Sequence, residues 1–291
     1  MSPFPDAVLH EALSRHTSFG IGGPADYFLV PDSALRLAEI METCRNEGIP
    51  LTLIGDGTNV LVSDAGIRGA VATTKRMNSF EMDEGGGVTA LAGARLSQLA
   101  EAAWSRSLQG LEFAAGIPGT LGGAVYMNAG AYGGEIGRLV ESVLTMPMGA
   151  DAVWLSRDQM EFGYRYSVLQ KSGHAAVMVR LRLSNGIKSD IREKMDDFAK
   201  RRRESQPLGE RSAGSAFKRP AGGFAARLID KSGLKGFRVG GAMVSEKHAG
   251  FIVNTGGASS DDVIRLMEAV RSTVHRDSGV WLIPEIRLLG E

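Results

Sequence analysis

Apolar residues recur along this chain in two rhythms, and the change from one to the other predicts the order of its elements. Over 32–48, Leu37, Ile40, Met41 and Cys44 fall at i, i+3, i+4 and i+7, the spacing of one helix face. Asp32 stands where a cap would, and Gly48 and Pro50 end the run. Cys44 then lies on the buried stripe, as a core thiol. Short apolar runs at 51–54 and 60–62 read as strands, as do 68–74 and 88–92. A helix over 96–108 turns Leu96, Leu99, Ala100 and Ala103 inward. A long glycine-punctuated stretch follows at 110–137. Strands are expected at 139–146 and 152–155, then a short helix at 157–162 opened by the capping-box spacing Ser156-x-x-Gln159. Val177, Val179, Leu181 and Leu183 alternate with Met178, Arg180, Arg182 and Ser184, the signature of a half-buried strand.

The texture changes near 186–189. Helices are expected over 190–204, with Ile191, Met195 and Phe198 on one face, and over 223–232, stopping at Gly233. Another at 261–276 carries the stripe Val263, Leu266, Met267, Val270 and Val274. Strands are expected at 242–244 and 250–254, with a final one over 280–289. The mixture lacks a regular βαβ alternation, so the fold class is α+β, with a domain boundary near 187.

Composition narrows the function. Lys plus Arg and Asp plus Glu both number 33, so the net charge is zero. That argues against nucleic acid as a partner, which needs a basic excess. One cysteine excludes an intrachain disulfide and a cysteine-built zinc site, and five scattered histidines form no ligand pair, so no metal is expected. The N-terminus shows no basic stretch leading into an apolar core, so no signal peptide is expected. No apolar run approaches the ~18 residues of a membrane span. The expected compartment is the cytoplasm, without a membrane partner. Glycine is the outlier, at 38 of 291 residues. It concentrates where a backbone must turn tightly or approach something closely.

Three segments have the look of ligand loops: 16–23, 55–61 and 116–133. The second, Gly55-Asp56-Gly57-Thr58-Asn59-Val60-Leu61, follows a strand but leads into another strand. It therefore lacks the helix N-terminus of a dinucleotide fingerprint, and no P-loop occurs in the chain. Glycine-rich turns can still bind phosphate through successive backbone N–H groups. Read alone, the second loop is as well explained as an ordinary tight turn. Together with the five glycines among 116–130 it favours a diphosphate-containing ligand.

The run from Gly110 to Gly133, containing Gly116-Ile117-Pro118-Gly119-Thr120-Leu121-Gly122-Gly123 and Met127-Asn128-Ala129-Gly130-Ala131-Tyr132-Gly133, resembles the flavin-domain signature of the UDP-N-acetylenolpyruvoylglucosamine reductase (MurB) family. Further markers follow in the family's order: Thr17–Gly23, Gly55–Leu61, Phe162-Gly163-Tyr164-Arg165-Tyr166-Ser167, Ala213-Gly214-Ser215-Ala216-Phe217-Lys218, the run Val244–Asn254, and Leu282-Ile283-Pro284-Glu285-Ile286-Arg287. Thr58 replaces the usual serine, and Arg219 stands before Pro220 where asparagine is common. No room exists after Ser167 for the insertion that carries a substrate-covering tyrosine, so the chain resembles the short, type II branch.

The resemblance implies a flavin domain of the vanillyl-alcohol-oxidase (PCMH) type in two subdomains, 1–75 and 76–187, and a substrate-binding domain at 188–291 whose last strand returns Glu285 to the flavin. It implies non-covalent FAD held by Gly55, Asp56, Gly57, Thr58, Asn59, Val60, Leu61, Gly116, Ile117, Pro118, Gly119, Gly122, Gly123, Met127, Asn128, Gly130 and Ala131. NADPH would reduce that flavin, and an enolpyruvyl UDP-sugar would reoxidise it. Such a reaction calls for a fixed cation at the substrate carboxylate and an acid near the reacting carbon. Arg165, with a planar fork that suits carboxylates, reads from its tetrapeptide as a surface ion pair; the resemblance makes it that cation. Ser215 reads as a turn former, and the resemblance makes it the acid. Glu285 reads as a solvated strand residue, and the resemblance makes it the third catalytic group. Tyr164, Lys218, Arg219 and His248 are the expected substrate contacts; Lys218 and Arg219 end a basic run that includes Lys200, Arg201, Arg202, Arg203 and Arg211. For His248 a structural role is as good a reading, and His16 and His275 are taken as structural. A related flavin oxidase for another substrate and a non-catalytic flavin- or nucleotide-sugar-binding regulator are the alternatives. The C-terminal motifs argue against the first, and the joint presence of Arg165, Ser215 and Glu285 against the second. A monomer or a weak homo-oligomer is expected.

Overall fold

The structure, a computed structural model, describes residues 2–290. The chain folds into two compact units, each assembled from separated stretches. The first comprises residues 1–8, 27–56 and 69–201, and the second 9–26, 57–68 and 202–291.

The first unit is built on a five-stranded antiparallel sheet, in the order Val153–Ser156, Val140–Met146, Ala175–Arg182, Gly87–Leu91 and Phe80–Met82. The alternation read from the sequence puts Val177, Val179 and Leu181 wholly inside. Helix α1 (Ala34–Asn46) carries its stripe Leu37, Ile40, Met41 and Cys44 inward. It packs on the parallel pair formed by Leu51–Ile54 with Ile67–Thr73. Its cap is Ser33, whose Oγ accepts the Arg36 N–H at 3.2 Å; Asp32 instead pairs with Arg76 at 3.5 Å. Helix α2 (Leu96–Ser105) ends three residues earlier than its pattern, because Ser107 takes φ +57. Helix α3 (Leu121–Tyr126) arises inside the glycine-rich stretch and packs with α2 in the main core.

A further expectation needs correction. Residues 157–161 form turns, not a helix. Both capping-box bonds are made there, Ser156 N–H to Gln159 Oε1 at 2.8 Å and Gln159 N–H to Ser156 Oγ at 3.4 Å. Glu161 then takes φ +50 and stops propagation. A one-turn helix, α4 (Leu169–Ser172), follows, and then α5 (Lys188–Ser205), whose Ile191 and Met195 reach the core.

The second unit centres on a four-stranded antiparallel sheet in the order Arg211–Ser215, Phe251–Asn254, Ala242–Val244 and Arg238–Val239. Helices α6 (Ala225–Lys231) and α7 (Ser260–Ser278) contribute to its core, α7 through Val263, Leu266, Met267, Val270 and Val274. The final strand is shorter than its apolar run, with only Arg287–Leu289 forming a ladder, parallel to Val60–Val62. Residues 280–286 pair only through an isolated antiparallel bridge between Pro284 and Phe217, a position where the missing proline N–H costs no bond. In that segment Leu282 is buried while Trp281 and Ile283 stay 46% and 60% exposed. No helix among the described residues is long and apolar enough to cross a membrane, and these residues include no cluster of three or more His, Cys, Asp or Glu side chains that could hold a metal ion.

Candidate active site

In the first unit the third glycine loop, residues 116–133, is bracketed by the segment around Arg165. Gly163 and Tyr166 exchange backbone bonds at 3.1 and 3.2 Å, closing a two-residue corner with Tyr164 and Arg165 at its tip. Arg165 takes φ +54, a left-handed conformation costing a non-glycine residue about 1–2 kcal/mol. Its guanidinium Nη2 donates to Gly130 O at 3.0 Å and lies near the ring of exposed Tyr164. Asn128 is 2% exposed. Its Nδ2 donates to Gly163 O and its Oδ1 accepts the Gly137 N–H, both at 2.9 Å, so its side chain serves the protein. Gly130 and Ala131 pair with Glu135 and Gly134 across a tight hairpin whose corner residues, Tyr132 and Gly133, both have positive φ.

The glycines sort by what a side chain would meet. A Cβ on Gly55 would lie 2.4 Å from Thr120 Oγ1, which brings the second loop against the third. On Gly122 it would lie 2.8 Å from Ala92 Cβ, and on Gly130 2.5 Å from Gly134 O. On Gly57, which has φ +65, it would lie 2.1 Å from His16 O. Protein packing therefore accounts for these four. Gly123 differs, since its surface is open and its nearest neighbour would be Thr120 Oγ1 at 3.6 Å. Packing gives no reason for a glycine there, whereas close approach of a ligand does.

The backbone amides agree. In the first unit the N–H groups of Gly55, Asp56, Gly116, Gly119 and Thr120 have no hydrogen-bond partner among the described residues. Thr120 is only 2% exposed. Donors left unpaired on loops are what an anion needs. Asp56 would repel a phosphate, but Lys75 and Arg95 flank its carboxylate at 3.8 Å each and leave the neighbourhood net positive. Residues 55–56 and the third loop, all in the first unit, thus fit a diphosphate-bearing cofactor through backbone and local charge. Ile117 packs against the first core, Pro118 is exposed, and Met127 lies beside Gln170.

In the second unit Ser215 ends the edge strand Arg211–Ser215. It does not sit in a tight turn: Gly214, at φ +75, creates a bulge where the register with Phe251–Asn254 shifts between Ser212 and Ser215. The Ser215 hydroxyl has no hydrogen-bond partner among the described residues. The next residue, Ala216, accepts the Glu285 N–H at 2.9 Å, and Lys218 N–H donates to Ile283 O at 2.8 Å. Ser215 and Glu285 are therefore carried by neighbouring backbone segments. Asn59 joins them, since its Nδ2 donates to Glu285 O at 3.2 Å and its own carbonyl accepts the Arg287 N–H. Val60 and Leu61 continue as the ladder with Arg287 and Leu288, and Leu61 is core. Ser18, in the first glycine segment, ties Gly57 and Ser212 together, its N–H to Gly57 O at 3.1 Å and its Oγ to Ser212 O at 2.7 Å. Arg219 lies over the exposed Phe224 ring at 4.4 Å. His248 Nδ1 accepts the Gly250 N–H at 3.1 Å, leaving Nε2 to donate. Burial, helped by the Lys235 charge, holds this imidazole below its usual range, so it is neutral at pH 7.

Arg165 thus belongs to one unit, and Ser215 with Glu285 to the other. Sequence reasoning overlooked Gln170 and Thr120. Nothing in the pattern marks Gln170; Thr120 is a helix cap, with Oγ1 accepting the Gly123 N–H at 3.4 Å, disguised by the two glycines that follow Leu121.

Known proteins resemble this chain along nearly its whole length. A sequence model described as UDP-N-acetylenolpyruvoylglucosamine reductase, C-terminal domain, matches residues 206–289, and one described as FAD binding domain matches residues 25–148. The UDP-N-acetylenolpyruvoylglucosamine reductase of Lachnoclostridium phytofermentans is 48% identical over 286 residues, 97% of this chain and 92% of the relative. That of Clostridioides difficile is 46% identical over 98% of this chain and 94% of the relative. The crystal structure of the Thermus caldophilus reductase superposes with a TM-score of 0.84 at 35% identity, covering 98% of this chain and all of that one. With near-complete coverage at this identity, and with the N-terminal and C-terminal motifs in one order, the chain belongs to the UDP-N-acetylenolpyruvoylglucosamine reductase family.

Proposed function

We propose that this chain reduces UDP-N-acetylglucosamine enolpyruvate to UDP-N-acetylmuramate with NADPH, in the cytoplasm, as a step in making peptidoglycan precursors. Bound FAD supplies hydride transfer between the two substrates, and the amide donors of the second and third loops would hold its diphosphate. The functional division proposed is 1–75 and 76–187 for flavin and 188–291 for substrate. The chain acts as a monomer or a weak homo-oligomer.

Arg165 fixes the substrate carboxylate and opposes the charge that builds there as the vinyl group is reduced. Ser215 gives its hydroxyl proton to the neighbouring carbon. Glu285 polarises the enol-like state. Tyr164 lines the carboxylate end beside Arg165. Lys218 and Arg219 face the substrate diphosphate, and His248 donates through Nε2 as a neutral group. The observation that carries this reading is the Ser215–Glu285 neighbourhood. A hydroxyl with no hydrogen-bond partner among the described residues is placed by a glycine bulge beside the backbone that presents a carboxylate.

The test is NADPH oxidation with and without the enolpyruvyl nucleotide sugar. Oxidation that depends on the sugar and yields one muramate per NADPH is expected. Oxidation indifferent to the sugar would overturn the reading in favour of an oxidase. No flavin spectrum after reconstitution with FAD would overturn it in favour of a binding protein.

A further inference from the structure

One polar side chain beside Arg165 has no part in the chemistry above. Gln170 sits half-buried in α4, with its Nε2 at 2.9 Å from Tyr126 O and 3.0 Å from Arg165 O. An amide NH₂ has two hydrogens, and two carbonyl oxygens at bonding distance claim both. They also fix which way round the amide lies, since its oxygen in that position would face two others. Met127 Sδ, at 3.8 Å, is a weak neighbour.

Both acceptors matter. Tyr126 ends α3, so its carbonyl is one the helix cannot satisfy itself; Ser167 Oγ fills its second lone pair at 3.0 Å. Arg165 is the left-handed corner residue, and its carbonyl is held while its guanidinium reaches Gly130 O. The α3 terminus, the corner and the loop carbonyl thus close a ring through one glutamine. Backbone in so sparsely populated a conformation persists only where its surroundings over-determine it.

We infer that Gln170 is a positioning residue: its amide clamps the strained Arg165 corner to the end of α3 and so sets where the guanidinium stands. The inference rests on the role proposed for Arg165. Two variants of the FAD-loaded enzyme test it. Gln170→Glu at about pH 8 presents a carboxylate, with no hydrogen to give, to two carbonyl oxygens. Gln170→Met keeps the length and lacks both hydrogens at every pH. With a displacement of about an ångström at Arg165, reoxidation of reduced flavin by the enolpyruvyl sugar should fall about 10²-fold in both, while flavin reduction by NADPH stays within about twofold of wild type.

The pH profile separates clamping from mere packing. Acidification toward about pH 5 protonates the glutamate and returns one O–H donor, so Gln170→Glu should regain rate relative to wild type and Gln170→Met should not. Melting temperature should follow the same course. The introduced carboxyl has a folded pKa raised above its unfolded value, so its stability deficit appears as pH rises and closes as pH falls. Variants that reoxidise like wild type overturn the inference. So do equal losses in both half-reactions with no recovery at low pH. Wild-type enzyme that the enolpyruvyl sugar fails to reoxidise overturns the functional reading and Gln170's role together, whereas normal wild-type turnover beside unaffected variants overturns Gln170 alone.

Discussion

Arg165 and Ser215 are held in opposite ways. Around Arg165 the backbone is strained and each neighbouring polar group is tied, with Asn128, Ser167 and Gln170 all bonding to the loop or the corner. Around Ser215 the backbone is a strand with one bulge, and the serine hydroxyl has no hydrogen-bond partner among the described residues. The contrast fits the role proposed for each group. A guanidinium on a long, rotamer-rich side chain is precise only if its base is fixed. A hydroxyl that must surrender its proton needs a fixed oxygen and a hydrogen free to rotate, since a permanent acceptor would compete for it.

The contrast is sharpest if Ser215 is removed. Ser215→Ala deletes an atom that supports no other group, so fold, FAD content and flavin reduction by NADPH should match wild type. Reoxidation by the enolpyruvyl sugar should slow by about 10²–10⁴-fold, the usual worth of a placed acid. Ser215→Cys should recover part of the rate, because a thiol is a stronger acid of similar size. Stopped-flow spectra of the two half-reactions read this directly. Reoxidation of Ser215→Ala at the parent rate would remove the serine from the chemistry.

The Arg165 side should respond differently, with stability and rate parting company. Arg165→Lys keeps the charge and the strained φ but loses the fork, and should slow reoxidation by about 10²-fold, as loss of one charge-stabilising donor does. Arg165→Gly loses the charge as well and should be slower still. Yet glycine relieves a left-handed cost of about 1–2 kcal/mol, which offsets much of the lost bond to Gly130 O. Its melting temperature should therefore equal or exceed that of Arg165→Lys. A glycine variant markedly less stable than the lysine variant would mean that the corner is not strained.

A smaller effect separates glycines kept for packing from one kept for a ligand. Gly57→Ala places its Cβ against His16 O with φ +65, and should lower the melting temperature of the apoprotein. Gly123→Ala meets open space inside α3, where alanine is favoured over glycine by about 0.5–1 kcal/mol. It should hold or raise that temperature while weakening FAD binding in a fluorescence titration. Undiminished FAD affinity in Gly123→Ala would show that the third loop does not meet the cofactor there.

Elements that announce themselves by period were legible in the sequence. The stripes of α1 and α7 and the alternation of 177–183 each place the residues that are buried, because one face of a regular element must be apolar. What escaped is set by distant partners. Helix α3 contains Gly122, a poor helix former, because Gly122 N–H bonds Ala92 O at 2.7 Å and no side chain would fit. The strand over-read at 280–286 has the right composition, but its pairing amounts to one isolated bridge, Pro284 with Phe217. The gathering of 57–68 with 202–291 depends on Val60–Val62 pairing with Arg287–Leu289, which no local pattern encodes. At the site, glycine loops and charged motifs were visible, whereas Gln170 was not, since its role lies in two carbonyls 44 and 5 residues away in sequence.

The smallest expected effect concerns what backs Ser215. Ala216 N–H donates to Gly250 O at 2.8 Å, and Gly250 N–H donates in turn to His248 Nδ1. Protonation of His248 places a hydrogen on Nδ1 and breaks that bond. Because burial and the Lys235 charge lower the folded pKa of His248, the fold favours the neutral ring. The resulting stabilisation is complete above the unfolded value near 6.5 and is lost as pH falls through the lowered folded pKa. Wild type should therefore lose melting temperature on acidification from about pH 7.5 to about pH 5 more steeply than His248→Asn, whose amide oxygen can still accept from Gly250 at every pH. The difference should be modest, since the ring is only half-buried, and near pH 7.5 the two proteins should melt together. Reoxidation of the flavin by substrate should decline over the same window in wild type, beyond any effect on its reduction, because the loosened turn shifts the strand next to Ser215. Parallel melting curves for both proteins across the range would show that the His248 bond does not support that strand.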